Sequence, residues 1–63
     1  MAEGVPSIKK GKVFTKGKVI YFEYENNNIK EIDIWDGFKI KRFVFIRDSK
    51  GNIQSIETYE RFA

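Results

Sequence analysis

A run of basic side chains near the start of the sequence is the feature whose residue type and spacing best suit chemistry. Lys9, Lys10 and Lys12 are followed by Lys16 and Lys18, with no acidic residue among them. Lysine ammonium groups held on a sheet contact phosphates without reading bases, and such binding weakens steeply with salt. Lysines on an edge strand also prevent strand-to-strand aggregation. The sequence leaves both uses open.

The only tryptophan lies in a turn sequence, Trp35-Asp36-Gly37, and is the second feature. We expect Trp35 on the surface, on the same side of a sheet as Tyr21. Aromatic faces stack on bases while ammonium groups meet phosphates, so this surface could bind nucleic acid. The predicted nucleic-acid-binding residues are Lys12, Lys16, Lys18, Tyr21, Trp35, Lys39 and Lys41. In the alternative interpretation, Trp35 closes one end of a barrel. In addition, Glu23, Glu31 and Asp33 would lie on or beside the same face and repel a polyanion.

Catalytic and metal chemistry find little support in the residue types. The chain has no His and no Cys, and its hydroxyl groups have no base in a recognisable arrangement. Glu31 and Asp33 lie two apart on one predicted strand, and we interpret them as cross-strand partners of lysines. The segment 48–52 lacks the spaced acidic ligands of a calcium loop and is predicted to be a hairpin turn. We therefore expect no enzyme activity, no metal and no cofactor.

The composition predicts the fold class. The chain has 63 residues, enough for one domain, and contains six Phe, three Tyr, one Trp and nine Ile but no Leu. Aromatic and β-branched residues fit a pleated sheet better than a helix, so we expect an all-β domain. A domain this small buries only about 60% of the surface of its unfolded chain, which leaves little stability to spare.

Charge and cysteine content bear on partners and location. The net charge is +3, a modest basic excess that permits a polyanionic partner. The absence of Cys is unusual for a small secreted domain, and no apolar run is long enough for a signal peptide or a membrane span. We expect a cytoplasmic protein with no membrane contact.

Alternating apolar and polar residues predict five strands, at about 8–14, 18–25, 29–35, 38–47 and 53–60, after a flexible N-terminal tail at 1–7. Three connections carry a Gly where a turn needs positive φ, and the fourth is Asn26-Asn27-Asn28. Hairpins this short indicate an antiparallel meander. The apolar run 43–46 suggests that both faces are covered there, as in a small SH3-like barrel spanning 8–63.

The register of the third and fourth strands follows from the loop length assumed between them. A loop of three residues ending at Gly37 places apolar residues opposite each other on one face and acidic residues opposite lysines on the other. The pairs are Ile34 with Phe38, Ile32 with Ile40, Asp33 with Lys39 and Glu31 with Lys41. The loop before it places Phe22 opposite Ile32 and Ile20 opposite Ile34. The predicted core is then Ile20, Phe22, Ile32, Ile34, Phe38 and Ile40, with Tyr24 at its margin. The predicted covers are Val13, Phe14, Ile53 and Ile56.

The size, the abundance of Lys and Ile and the short strands resemble the small basic chromatin- and RNA-associated barrels of archaea and the wider SH3-like class. No motif is shared, so the resemblance assigns no residue a role. Together these features favour a small basic protein that binds DNA or RNA with low sequence specificity. The alternative is a protein-interaction module or a small subunit of an assembly, including a homodimer formed through an edge strand.

Overall fold

Five consecutive strands form one antiparallel sheet. The computed structural model describes residues 8–62, and its strands are β1 (Ile8–Thr15), β2 (Lys18–Glu25), β3 (Asn28–Trp35), β4 (Lys39–Arg47) and β5 (Ile53–Phe62). Each strand pairs with the next in the order β1-β2-β3-β4-β5. The predicted all-β, five-stranded antiparallel meander is therefore confirmed. The tail predicted at 1–7 lies outside the described residues.

The first two hairpins close with two-residue loops. Lys16 and Gly17 have φ of 46° and 78°, and Asn26 and Asn27 have φ of 51° and 65°. Two successive residues at positive φ give a type I′ turn, whose twist matches that of the flanking strands. Both loops are one residue shorter than the three-residue loops expected from the sequence.

The last hairpin has the longer loop that the sequence predicts. Gly51, at φ 89°, donates its N–H to the carbonyl of Asp48 at 3.0 Å. The Asp48 carboxylate accepts the backbone N–H groups of Lys50 and Asn52 at 2.9 and 3.0 Å. The carboxylate is thus engaged in stabilising the turn, which is the role predicted for this segment.

The predicted register of β2 and β3 is confirmed in the centre of the pair. Ile20 lies opposite Ile34 and Phe22 opposite Ile32. The loop is shorter than assumed, yet the pairs agree because β3 contains a bulge at the position opposite Glu23 and Tyr24. The extra residue expected in the loop lies in the strand instead.

The predicted register of β3 and β4 is wrong by three residues. The observed partners are Ile34 with Lys41, Asp33 with Arg42, Ile32 with Phe43 and Trp35 with Ile40. The Asp36 N–H donates to the Lys39 carbonyl at 3.3 Å, so the loop that this pair closes contains two residues, Gly37, at φ 97°, and Phe38, rather than three ending at Gly37. The Asp36 carboxylate holds this loop by accepting the N–H groups of Phe38 and Lys39 at 2.9 and 3.0 Å.

An odd shift in register moves every side chain of β4 to the other face of the sheet. Ile40, predicted for the core beside Ile32 and Ile34, therefore lies on the face that carries Trp35. Phe38 is at the turn and is 79% exposed. The apolar run 43–46 is divided between the two faces of the sheet. Phe43 and Phe45 lie on one face, and Val44 and Ile46 lie on the other.

The alternation of the strands defines two faces with different chemistry. The apolar face consists of Val13, Ile20, Phe22, Tyr24, Ile29, Ile32, Ile34, Phe43, Phe45, Ile53 and Ile56. The mixed face combines charged, aromatic and aliphatic groups: Lys10, Lys12, Phe14, Val19, Tyr21, Glu23, Glu31, Asp33, Trp35, Ile40, Arg42, Val44 and Tyr59. Among residues 8–62 no side chain, apolar or polar, is fully buried.

The sheet is open. β1 and β5 lie at opposite edges, every residue of both strands is exposed, and the principal extents of 41 × 26 × 17 Å are those of a slab. The closure into an SH3-like barrel predicted from the sequence is not seen in the part of the chain that the structure describes. The four residues predicted to cover the core remain exposed, and Phe14 lies on the opposite face from the other three.

Candidate nucleic-acid interface

The seven residues predicted to bind nucleic acid are divided between the two faces. Lys12, Tyr21 and Trp35 share the mixed face, as the sequence suggested. The predicted grouping of the other sheet lysines around Trp35 is wrong: Lys39 and Lys41 point to the apolar side because of the register shift. Two further lysines stand apart from this group: Lys18 alternates to the apolar side, and Lys16 lies in the β1–β2 turn.

Aromatic and aliphatic side chains form a continuous row across one end of the mixed face. Val19 of β2 lies between Phe14 of β1 and Trp35 of β3. The Lys12 Nζ is 5.3 Å from the Phe14 ring centroid and 5.9 Å from that of Tyr21. Because both distances are within cation–π range, the ammonium group is held beside aromatic rings. We call Lys12, Phe14, Val19, Tyr21 and Trp35 the aromatic strip.

The aromatic strip is accessible. Phe14 is 70% exposed and Trp35 is 37% exposed. Trp35 is therefore neither buried in a core nor folded away as a lid, which removes the main structural objection to a stacking surface. A ring with one open face beside a lysine ammonium can stack on a base while the cation meets the adjoining phosphate.

Ion pairs occupy the middle of the mixed face. Arg42 donates from Nε and Nη2 to the two carboxylate oxygens of Asp33 at 3.1 and 3.2 Å, and its Nε is also 3.1 Å from Glu31 Oε2. Glu23 is 3.9 Å from the Lys10 Nζ and 3.8 Å from the Lys30 Nζ. Three acids thus meet three cations in one cluster.

The sequence predicted a different ladder, in which lysines of β4 paired with Glu31 and Asp33, and that pairing is wrong. Arg42 takes both carboxylates instead, since it is the residue of β4 opposite Asp33. Desolvation and a hydrogen bond with Asp33 raise the pKa of Glu31 above its ordinary value, and Arg42 opposes this rise. The two carboxylates are therefore held by a structural guanidinium.

The basic excess is concentrated at one end of the sheet, around the β1–β2 turn, the β3–β4 turn and the last residues of β5. We call it the basic end. Its cations are Lys12, Lys16, Lys18, Lys39, Lys41, Arg42 and Arg61, and its acids are Asp33, Asp36 and Glu60. The other end carries Lys9, Lys10, Lys30, Arg47 and Lys50 against Glu23, Glu25, Glu31, Asp48 and Glu57. Counted over residues 8–62, that end is neutral.

The acids of the basic end are already paired. Backbone hydrogen bonds from Lys39 and Phe38 lower the pKa of Asp36, and the Lys39 ammonium, 2.8 Å away, lowers the pKa of Glu60. The same contact raises the pKa of Lys39. Lys39 is thus partly neutralised, whereas Lys12, Lys16, Lys18 and Lys41 make no ion pair within residues 8–62.

Sequence reasoning missed two residues of this surface. Phe14 was taken for a cover of the core, and Arg61 lies just beyond the predicted end of the fifth strand at 60. The parity of β1 follows from the two-residue turn in which Lys16 and Gly17 both adopt positive φ. With that turn, Phe14 falls opposite Val19 and beside Lys12.

Comparison with known proteins finds no family model, no curated protein and no solved structure that matches the chain. Within residues 8–62 no group of three or more acidic, His or Cys side chains is arranged to hold a metal ion. The same residues contain no helix with the length and apolarity needed to cross a membrane.

Proposed function

We propose that the protein binds DNA or RNA through the basic end, with the aromatic strip as its stacking surface and with low sequence specificity. The observation that carries the proposal is a coincidence of position. The exposed rings of Phe14 and Trp35 lie at the end of the sheet that holds the unpaired lysines, while the opposite end is neutral.

Each part of the surface has a distinct use in this proposal. Lys12, positioned between the rings of Phe14 and Tyr21, meets a phosphate beside a stacked base. Lys16 and Lys18, at the β1–β2 turn, extend the path of the backbone. The central ion-pair cluster is neutral, so it neither attracts nor repels the ligand strongly. A cytoplasmic setting fits the cysteine-free composition, and closure into an SH3-like barrel is not required.

A titration of labelled single- and double-stranded oligonucleotides at low and high salt tests the proposal. Binding should weaken as salt rises, with a slope of about 0.7 to 0.9 per phosphate contacted on a log–log plot. Absence of binding at low salt, or binding that does not respond to salt, would refute it. Trp35 emission provides a second readout, because stacking on a base changes the environment of an exposed indole.

Two triple variants with the same change in net charge locate the site. Replacing Lys12, Lys16 and Lys18 by Gln removes three cations from the basic end. Replacing Lys9, Lys10 and Lys50 by Gln removes three from the neutral end. The first variant should lose affinity and reduce the salt slope by about 2 to 3. Equal losses in both variants would mean that net charge alone, and not the basic end, accounts for binding.

A second candidate function, a protein-interaction module or small subunit of an assembly, is favoured by a separate observation. The apolar face has no cover in the described structure, and none of its side chains is fully buried. Uncovered apolar surface of this extent is typical of protein–protein contact sites. Sedimentation velocity over a range of concentrations tests this candidate, since a single species at the monomer mass would contradict self-association.

A further inference from the structure

The apolar face leaves large apolar side chains in contact with water. Its central side chains, such as Phe22, Ile32 and Phe43, lie on the three middle strands and are only half-buried by their neighbours. The sheet dimensions set the size of the face: strands of about eight residues at about 3.4 Å each, and five strands at about 4.8 Å spacing, cover about 650 Å². That area includes the charged residues of this side, and the apolar patch within it is comparable to the largest patch on a typical monomer, about 300 to 600 Å², which is often a contact site.

We propose that a second copy of this chain covers the apolar face, so that two sheets pack face to face as a β-sandwich. Two faces of about 650 Å² bury about 1,300 Å² in total, which lies within the range of about 1,200 to 2,000 Å² for stable interfaces. Packed sheets stand about 10 Å apart, which the interdigitating Phe and Ile side chains fill. The proposal deepens the second candidate function and does not depend on nucleic-acid binding.

The centre of the apolar face is free of charged side chains. Within residues 8–62, the central row of this side, Phe22, Ile32 and Phe43, carries no charged group. The charged side chains beside and beyond that row are Lys9, Lys18, Lys39, Lys41, Arg47 and Glu60. The centre of the face therefore presents no net charge that would select an acidic or basic partner. A two-fold dimer requires only that one patch complement itself, which an apolar sheet face satisfies.

Edge β1 is unsuited to pairing with its own copy. Edge β1 carries Lys9, Lys10 and Lys12, and antiparallel pairing of two β1 strands would bring these lysines together. Lysines on edges oppose such pairing. Edge pairing would also leave the apolar face in water, whereas face-to-face packing covers it. The interface inferred here is therefore the apolar face, in place of the edge strand considered from the sequence.

Adjacent residues of β4 provide a matched pair of variants. Phe43 points to the apolar face between Ile32 and Thr58, and Val44 points to the mixed face between Glu31 and Glu57. Phe43→Lys should raise the dimer dissociation constant at least 100-fold, while Val44→Lys, whose ammonium meets two acids, should retain a mass twice that of the chain. Sedimentation equilibrium measures both. Equal dissociation constants for Phe43→Lys and the native chain would overturn the proposal.

Cross-linking keeps the test decisive if Phe43→Lys fails to fold. The chain has no cysteine, so Ile32→Cys and Val44→Cys each introduce a single thiol. In a face-to-face dimer of Ile32→Cys the two introduced thiols, on the central strands of the two copies, lie about 10 Å apart, whereas edge pairing separates them by five strand spacings, about 24 Å.

A short bis-maleimide applied at low protein concentration should therefore link Ile32→Cys into a covalent dimer and leave Val44→Cys monomeric on a denaturing gel. Linking of both variants, of neither, or of Val44→Cys alone would overturn the proposal. The oligonucleotide titrations use different residues and a different readout. A failed cross-link therefore counts only against the dimer, and a failed titration only against nucleic-acid binding.

Discussion

Arg47 is the side chain whose removal should cost this sheet the most stability. Its Nη1 donates to the carbonyl of Gly51 at 2.9 Å and its Nη2 to the carbonyl of Ile29 at 3.0 Å. It is the last residue of β4, and it joins the β4–β5 loop to the start of β3. Residue 29 lies 18 positions away in sequence, so one guanidinium connects two hairpins.

The magnitude follows from these two bonds. A hydrogen bond that involves a charged group contributes about 1.5 to 3 kcal/mol, and two would give about 3 to 6. Met retains the apolar stem, and water can reach the released carbonyls of a half-exposed loop, so we expect Arg47→Met to lose about 2 to 4 kcal/mol. A 63-residue chain has a free energy of unfolding of about 3 to 9 kcal/mol. The loss should therefore remove a large share of the total stability.

Urea denaturation followed by Trp35 emission measures the loss. Protein concentration must be the same in every sample, because self-association would add to the apparent stability. Arg47→Lys keeps the positive charge but loses the planar pair of donors. Its free energy of unfolding should lie between those of the native protein and Arg47→Met. Arg61→Met, at an exposed edge position, should stay within about 0.5 kcal/mol of the native protein. If Arg47→Met shifts the midpoint no more than Arg61→Met does, the reasoning is wrong.

Four further variants test local features by the same denaturation assay. Gly37→Ala should destabilise by about 1 to 2 kcal/mol, because Gly37 has φ 97°. Gly11→Ala, in a strand with no heavy atom within 4 Å of the added Cβ, should instead gain up to about 0.5 kcal/mol, so equal effects would contradict the turn assignment. The pKa of Asp36 is lowered in the fold, so its stabilisation is complete above the unfolded value of 3.8 and is lost as pH falls through the folded pKa. Asp36→Asn should therefore reduce the fall in the free energy of unfolding at acidic pH. An unchanged fall would show that the Asp36 carboxylate does not stabilise the loop. Arg42→Met leaves Glu31 beside another carboxylate, so its cost should be larger at pH 7 than at pH 4, where the raised pKa of Glu31 allows protonation. A cost independent of pH would show that the ion pairs are irrelevant to it.

The strand positions were predictable because every boundary has a local cause. Gly or Asn at positive φ ends each strand, and alternation of apolar and polar residues needs no tertiary context. The central register of β2 and β3 was right for a mistaken reason, since the residue expected in the loop lies in a bulge of β3. Pairing of apolar residues across the strands determined that register more strongly than the loop did.

The register of β3 and β4 was not predictable from pairing alone, because two registers give plausible charge partners. Asp33 could face Lys39 in one and Arg42 in the other, and Arg42 forms two hydrogen bonds with it where Lys offers a point charge. The observed register is accompanied by a local contact, in which the Asp36 carboxylate accepts the N–H groups of Phe38 and Lys39. The apolar run in β4 was misleading, since it suggested a closed barrel although alternation alone divides it between the faces.

The two proposals together predict a dependence of affinity on ligand length. Face-to-face packing buries the apolar faces and leaves both mixed faces outward, so a dimer presents two aromatic strips on opposite surfaces. An oligonucleotide long enough to reach both would bind more tightly through effective concentration, by about 10² to 10⁴ when the spacing matches. Phe43→Lys, which separates the copies without touching either strip, should abolish that gain for long oligonucleotides and leave the affinity for short ones unchanged. Equal losses for both lengths would mean that the strip itself is damaged, and no loss for either would mean that each copy binds alone.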